Sequence, residues 1–70
     1  MKRREVLKKL EKAAKARGLS FTMTELTRHT GVTIGTSRHT LGRHSEIDEK
    51  TAGKFFDEFA DVLGGKGWWR

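Results

Sequence analysis

The sequence contains no cysteine in its 70 residues, which excludes disulfide bonds, thiolate metal sites and a cysteine nucleophile. It also lacks any apolar run close to the ~20 residues that a membrane-spanning helix requires. Residues 1–4 (MKRR) are basic like the start of a signal peptide, but a lysine-rich stretch follows where an apolar segment would be needed. We therefore expect a cytoplasmic protein.

Familiar catalytic motifs are also absent. The sequence has no phosphate-binding glycine loop, no serine nucleophile elbow and no Cys/His zinc spacing. No carboxylate stands at a metal-ligand spacing from the histidines, so we predict neither a metal site nor a cofactor. Four phenylalanines, two tryptophans and clear apolar periodicity nevertheless favour a folded chain. We expect one domain over residues 1–65 and a tryptophan-containing tail over residues 66–70.

Basic residues outnumber acidic ones, with 15 lysines and arginines against nine aspartates and glutamates, a net charge of +6. The distribution is uneven, because residues 1–17 carry +6, residues 18–44 carry +2 and residues 45–70 carry −2. This asymmetry favours an anionic partner, either nucleic acid or an acidic protein chain. A solvated helix face explains the same charges, so composition leaves both interpretations open.

Amphipathic helices are predicted at both ends of the chain. The first has its apolar stripe at Val6, Leu7, Leu10, Ala13 and Ala14. Gly18 is expected to end it. The second is predicted as one continuous helix after an N-cap at Asp48, with Gly64 as its stop. Its stripe comprises Ala52, Phe55, Phe56, Phe59, Ala60 and Leu63.

The region between the helices alternates like β-structure. Leu19, Phe21 and Met23 alternate with polar residues, which predicts a strand with one buried face. A turn is expected near residues 25–28, a second strand over residues 29–34 and a third over residues 38–41. The predicted fold is α+β in the order α-β-β-β-α, with two helices on one face of a three-stranded antiparallel sheet. The other face is open.

Three histidines in this region each follow an arginine directly, as Arg28-His29, Arg38-His39 and Arg43-His44. Histidine moves protons near neutral pH and arginine binds phosphate with two hydrogen bonds, so these pairs suit RNA binding or cleavage. Strand alternation places His29 on the open face and His39 on the inner face. We expect His39 to be a structural, hydrogen-bonded residue and His44 to lie just before the second helix.

Two segments resemble the HicA family of toxins from bacterial toxin–antitoxin systems. Residues 1–10 (MKRREVLKKL) resemble the opening helix of that family, and residues 42–52 (GRHSEIDEKTA) resemble its Pro-x-His-x-Glu-Ile segment. The resemblance extends over about residues 1–63. It implies a fold like that of double-stranded-RNA-binding domains, a metal-independent mRNA endoribonuclease activity and a HicB-like antitoxin as partner.

The resemblance also implies site residues, since His29 falls at the position of the single histidine that the family uses as general base. The residues predicted to bind RNA are Arg28, Arg38, Arg43, His44, Lys8 and Lys12. Two alternatives remain, a non-catalytic RNA- or DNA-binding module and a pure partner-binding protein. Trp68 and Trp69 could stack on bases, support a homodimer or fold back onto the helices, and we favour the last.

Overall fold

The computed structural model describes all 70 residues and contains three helices and one antiparallel sheet with the strand order β1-β2-β3. This confirms the predicted α+β class and the three-stranded sheet. The elements are α1 (Arg3–Ala16), β1 (Phe21–Glu25), β2 (His29–Ile34), β3 (Ser37–Gly42), α2 (Glu49–Glu58) and α3 (Ala60–Leu63). The longest of these helices, α1, has 14 residues, and none could traverse a lipid bilayer.

Helix α1 ends where the sequence predicts, at a glycine in a left-handed conformation. Gly18 has φ +67°, and its N–H donates to the Lys15 carbonyl while the Leu19 N–H donates to the Ala14 carbonyl. These two bonds form a Schellman motif, which satisfies carbonyls that the helix end would leave unpaired. The chain is thereby redirected from the helix into the sheet.

Two short connections fix the register of the sheet. The β1–β2 connection comprises residues 26–28, and the β2–β3 hairpin turns through Gly35 and Thr36 alone. Gly35 has φ +58°, a conformation that two-residue hairpin turns demand and that glycine adopts without strain. As a result Ile34 pairs with Ser37 at the turn, and His29 pairs with Gly42 at the far end.

The core lies between the helices and the inner face of the sheet. Strand alternation turns Val32 and Ile34 toward the helices, where both are fully buried. Phe56 and Phe59 provide the largest buried side chains of the opposite layer. The remaining core residues are Val6, Leu7, Leu10, Ala14, Leu41, Ile47, Ala52, Phe55 and Leu63. This burial of one sheet face leaves the other face free of covering helices, as predicted.

The prediction of a buried face along the first strand is wrong for most of its length. Phe21 packs against the core, but Met23 is 50% exposed although it shares the inner side of the sheet with Val32. β1 is an edge strand, and only its start is packed against the core cluster. Alternation gives the side of a sheet on which a residue lies, and the extent of the helical layer then decides its burial.

The second predicted helix is divided into α2 and α3. Asp48 caps α2 as expected, accepting from the Thr51 N–H at 3.2 Å. Phe59 interrupts the helix with φ −97° and ψ 15°, and its N–H donates to the Phe56 carbonyl three residues back. This tighter turn separates α2 from α3, and the Phe59 ring remains fully buried in the core. Gly64, with φ +103°, then ends α3.

The tail folds back onto α2, the arrangement favoured above for the two tryptophans. The Trp68 indole N–H donates to the Phe56 carbonyl at 2.7 Å, and the Trp69 indole N–H donates to the Asp57 carboxylate at 2.9 Å. Both indoles lie against the Phe56 ring, with ring centroids 5.5 Å apart in each pair. Residues 66–70 therefore extend the core of the domain.

Candidate functional site

Two positions on the open face of the sheet are glycines, so the backbone there has no side chain of its own. Gly31 in β2 and Gly42 in β3 are on this face, because they alternate with residues whose side chains are buried on the inner face. These buried residues are Thr30, Val32 and Leu41. A glycine in a strand often marks close approach of another group. Each of these two glycines is covered by the side chain of a residue predicted to bind RNA.

Arg38 covers Gly31. A Cβ atom built on Gly31 would lie 3.4 Å from the Arg38 Nη2 atom and 3.6 Å from Nε, so the guanidinium group lies flat against the β2 backbone. Gly31 is buried for this reason although it is on the open face, while Arg38 itself is exposed. The guanidinium thus lies over the strand position two residues after His29, on the same face of the sheet.

His44 covers Gly42. A Cβ atom built on Gly42 would lie 3.4 Å from Cδ2 and 3.8 Å from Nε2 of the His44 imidazole. Gly42 is the register partner of His29, and Cβ positions of directly opposed residues are about 4.5–5.5 Å apart. The His44 ring is therefore above the position directly across the sheet from His29. His29 and His44 are both exposed.

The open face therefore brings together three of the predicted residues, His29, Arg38 and His44, which we call the open-face cluster. Its two imidazoles can accept or donate protons, and its guanidinium can bind a phosphate oxygen. The absence of side chains at Gly31 and Gly42 lets the Arg38 guanidinium and the His44 imidazole lie close to the sheet backbone. Sequence reasoning identified the three residues, but it missed Gly31 and Gly42, whose importance is visible only from the pairing of β2 with β3.

Arg28 and Arg43 are at the end of the sheet, outside the open-face cluster. Arg28 is exposed in the β1–β2 connection, next to His29. The Arg43 guanidinium donates to the Leu26 carbonyl and lies 4.0 Å from the Glu25 carboxylate. Arg43 thus anchors the connection that carries Arg28, and the nearby Glu25 carboxylate partly neutralises the charge of Arg43.

A polar network that sequence reasoning missed supports this end of the sheet. The buried Thr30 hydroxyl donates to the Glu25 carboxylate and accepts from the Arg3 guanidinium. The hydrogen bond from Thr30, together with the positive charges of Arg43 and Arg3, holds the pKa of Glu25 below its usual range. Arg3 and Glu25 are 22 positions apart in sequence, which is why no local pattern indicates the network.

Lys8 and Lys12 lie on the other side of the molecule. Both are exposed on α1, on the side of the helix opposite the buried Leu10. Because the buried side of α1 packs against the inner face of the sheet, the body of the protein separates these lysines from the open-face cluster. The structure therefore does not bring together all six residues predicted to bind RNA.

His39 points inward, as expected. Its Nε2 atom is 3.2 Å from the Ser37 hydroxyl, its Nδ1 atom is 3.5 Å from the Glu58 carboxylate, and its ring packs edge-on against Phe59. The order Ser37–His39–Glu58 resembles that of a nucleophile, base and carboxylate. However, Ser37 is only 7% exposed and also donates to Asp61, so these contacts join β3 to the helices and present no nucleophile to a substrate.

No group of three or more histidine, aspartate or glutamate side chains is placed to hold a metal ion. Comparisons of the chain with protein-family models, with curated proteins and with solved structures give no match. The open-face cluster and its chemistry are therefore the basis for assigning a function.

Proposed function

We propose that the protein is a HicA-like endoribonuclease that cleaves mRNA without a metal ion, using His29 as general base on a sheet related to that of double-stranded-RNA-binding domains. One observation carries the proposal, the position of the exposed His29 beside Arg38 and His44 on the open face. The resemblance of residues 1–10 and 42–52 to HicA toxins supports the same assignment.

The reaction begins at the ribose 2′-hydroxyl of bound RNA. Neutral His29 accepts the proton of this hydroxyl while the 2′-oxygen attacks the adjacent phosphorus. The bond from phosphorus to the 5′-oxygen of the next nucleotide breaks, which gives a 2′,3′-cyclic phosphate and a 5′-hydroxyl. DNA is inert because it lacks the 2′-hydroxyl.

Arg38 is the cation best placed to assist. Negative charge builds up on the non-bridging phosphate oxygens as the fifth bond to phosphorus forms, and a guanidinium fixed nearby stabilises that charge. Arg38 is held against Gly31 before substrate arrives, so it needs little reorganisation. Arg28 extends the cationic surface beyond His29, and Arg43 holds the connection that carries it.

The lysine face of α1 suits a different contact with an anionic partner. Lys8 and Lys12 are exposed and have no acidic partner within ion-pair distance, unlike Lys15, which pairs with Glu11 at 3.7 Å. A HicB-like antitoxin with an acidic surface, or a distant part of a long RNA, could neutralise these charges while the open face is occupied. Binding without cleavage is the corresponding alternative function.

The test of this proposal is cleavage of a defined mRNA transcript by purified protein. We expect His29→Ala to slow cleavage by about 10²–10⁴-fold, the usual contribution of a general base. Thr22→Ala, which removes an exposed side chain from the same face of β1, is the matched control and should cleave like the unmodified protein. Circular dichroism establishes that each variant is folded.

Further substrates separate the alternatives. An RNA with a single 2′-deoxynucleotide at the cleavage site should remain intact, and chelation by EDTA should leave cleavage of the natural RNA unchanged. Full activity of folded His29→Ala would refute the catalytic assignment. Tight, salt-sensitive RNA binding without any cleavage would instead identify a binding module.

A further inference from the structure

We propose that His44 is the general acid that protonates the departing 5′-oxygen, so that the open face contains a two-histidine acid–base pair. This inference rests on the proposed ribonuclease function. It assigns His44 a role beyond contact with phosphate, and it follows from the place of the imidazole over Gly42, directly across the sheet from His29.

The chemistry requires two proton transfers on opposite sides of one phosphorus atom. The 2′-oxygen enters along a line opposite the leaving 5′-oxygen, and the alkoxide that would leave is strongly basic. A base at the entering side does nothing for that alkoxide, so a second group must supply a proton. In our assignment the 2′-hydroxyl proton goes to His29 and the imidazolium proton of His44 goes to the 5′-oxygen.

The bonds balance in this step. The bond from the 2′-oxygen to phosphorus forms, the bond from phosphorus to the 5′-oxygen breaks, and no redox change occurs. Afterwards His29 is protonated and His44 is neutral, and exchange with water restores both. His29 in β2 and His44, two residues after the end of β3, can flank a phosphate that lies on the open face.

His44 is held in place from both sides in the chain. It follows Gly42, the last residue of β3, and precedes Ile47, whose side chain is buried in the core. Glu46 forms a backbone bridge with Lys2 and an ion pair with it at 2.9 Å. The connection to α2 is therefore anchored on either side of the imidazole, which limits the positions that His44 can reach.

The His44 imidazole lies against the sheet at Gly42. A Cβ atom at position 42 would be in ordinary van der Waals contact with Cδ2 and Nε2 of His44, at 3.4 and 3.8 Å. Gly42 has an ordinary backbone conformation with negative φ, so another residue can be accommodated there without backbone strain. A side chain that extends beyond Cβ toward the ring, as in Gly42→Val, is therefore a way to displace His44 while keeping it in the chain.

The decisive experiment compares natural RNA with the same RNA carrying sulfur in place of the bridging 5′-oxygen at the cleavage site. A thiolate leaves without protonation, so a general acid is needed for the natural RNA only. We expect His44→Ala to slow cleavage of natural RNA by about 10²–10⁴-fold. On the sulfur substrate it should cleave within a few-fold of the unmodified protein.

Gly42→Val should show the same pattern in weaker form, and His44→Gln serves if His44→Ala fails to fold. His29→Ala should be slow on both substrates. An equal loss on both substrates for His44→Ala would make His44 a phosphate-binding or structural residue, and no loss on either would remove it from the reaction. Full activity of His29→Ala on both would instead refute the proposed function itself.

Discussion

Asp57 ties the tail to α2 through a single carboxylate oxygen. The Gly67 N–H and the Trp69 indole N–H both donate to Oδ1 at 2.9 Å. The backbone bond from Gly67 and then the bond from Trp69 hold the pKa of Asp57 below its usual range. The charged form is therefore favoured in the folded protein more than in the unfolded chain.

This lowered pKa makes stability depend on pH. The contribution is complete above the ordinary aspartate pKa of about 3.9 and is lost as pH falls through the folded value. We expect Asp57→Asn to lower Tm at neutral pH and to approach the unmodified protein as the solution is acidified. Trp69→Phe, which removes one donor, should show part of the effect. A Tm difference that does not change with pH would contradict the assignment.

Gly53 is in the middle of α2 because Trp69 occupies the space of a side chain. A Cβ atom at this position would lie 3.0 Å from both Cη2 and Cζ2 of the indole. Alanine is favoured over glycine within a helix by about 1 kcal/mol. We therefore expect Gly53→Ala to stabilise a Trp69→Ala chain clearly and to stabilise the unmodified chain less, or to destabilise it. A double-mutant cycle from thermal unfolding measures the coupling, and additive effects would disprove it.

At the scale of elements, local rules predicted most of the fold. Alternation gave both ends of β2, and the glycine after α1 and the aspartate before α2 marked helix ends, because caps and turns involve neighbours in sequence. The division between α2 and α3 escaped prediction since the apolar stripe runs through Phe59 without interruption. Met23 was misjudged because burial depends on how far the helices extend over the sheet.

The site was predictable in part for the same reason. The residue types and the face of His29 follow from sequence. The positions of Arg38 over Gly31 and of His44 over Gly42 become visible only with the register of β2 and β3. The ion pair between Arg43 and Glu25 joins residues that no periodicity relates. Contacts between positions distant in sequence determine which of the residues predicted to bind RNA lie on the open face and which lie outside it.

At the scale of the whole molecule, two cationic surfaces lie on opposite sides of the protein. The Cα atoms extend over 27 × 23 × 15 Å, and the sheet together with the inner side of α1 fills the interior between the surfaces. A ligand of two nucleotides on the open face therefore has no contact with Lys8 or Lys12. Long-range steering of a larger anionic partner remains available to both surfaces.

Substrate length separates these surfaces experimentally. We expect Arg38→Gln to reduce kcat/KM for a dinucleotide by about 10-fold or more, because it removes a charge-assisted contact to phosphate. The double variant Lys8→Gln/Lys12→Gln removes one more positive charge and should leave dinucleotide cleavage unchanged. Steady-state kinetics on the dinucleotide measures both. A comparable loss in the lysine variant would show that the two surfaces act together.

The two-residue hairpin turn at Gly35 and Thr36 has a consequence for how this chain can vary in length. The number of residues between Ile34 and Ser37 sets the register of the hairpin and therefore determines which residue of β3 pairs with His29. A shift of this register by one residue would move the β3 side chains to the other face of the sheet. Arg38 would then point into the core. An insertion in the β1–β2 connection, by contrast, leaves the alignment of β2 with β3 unchanged.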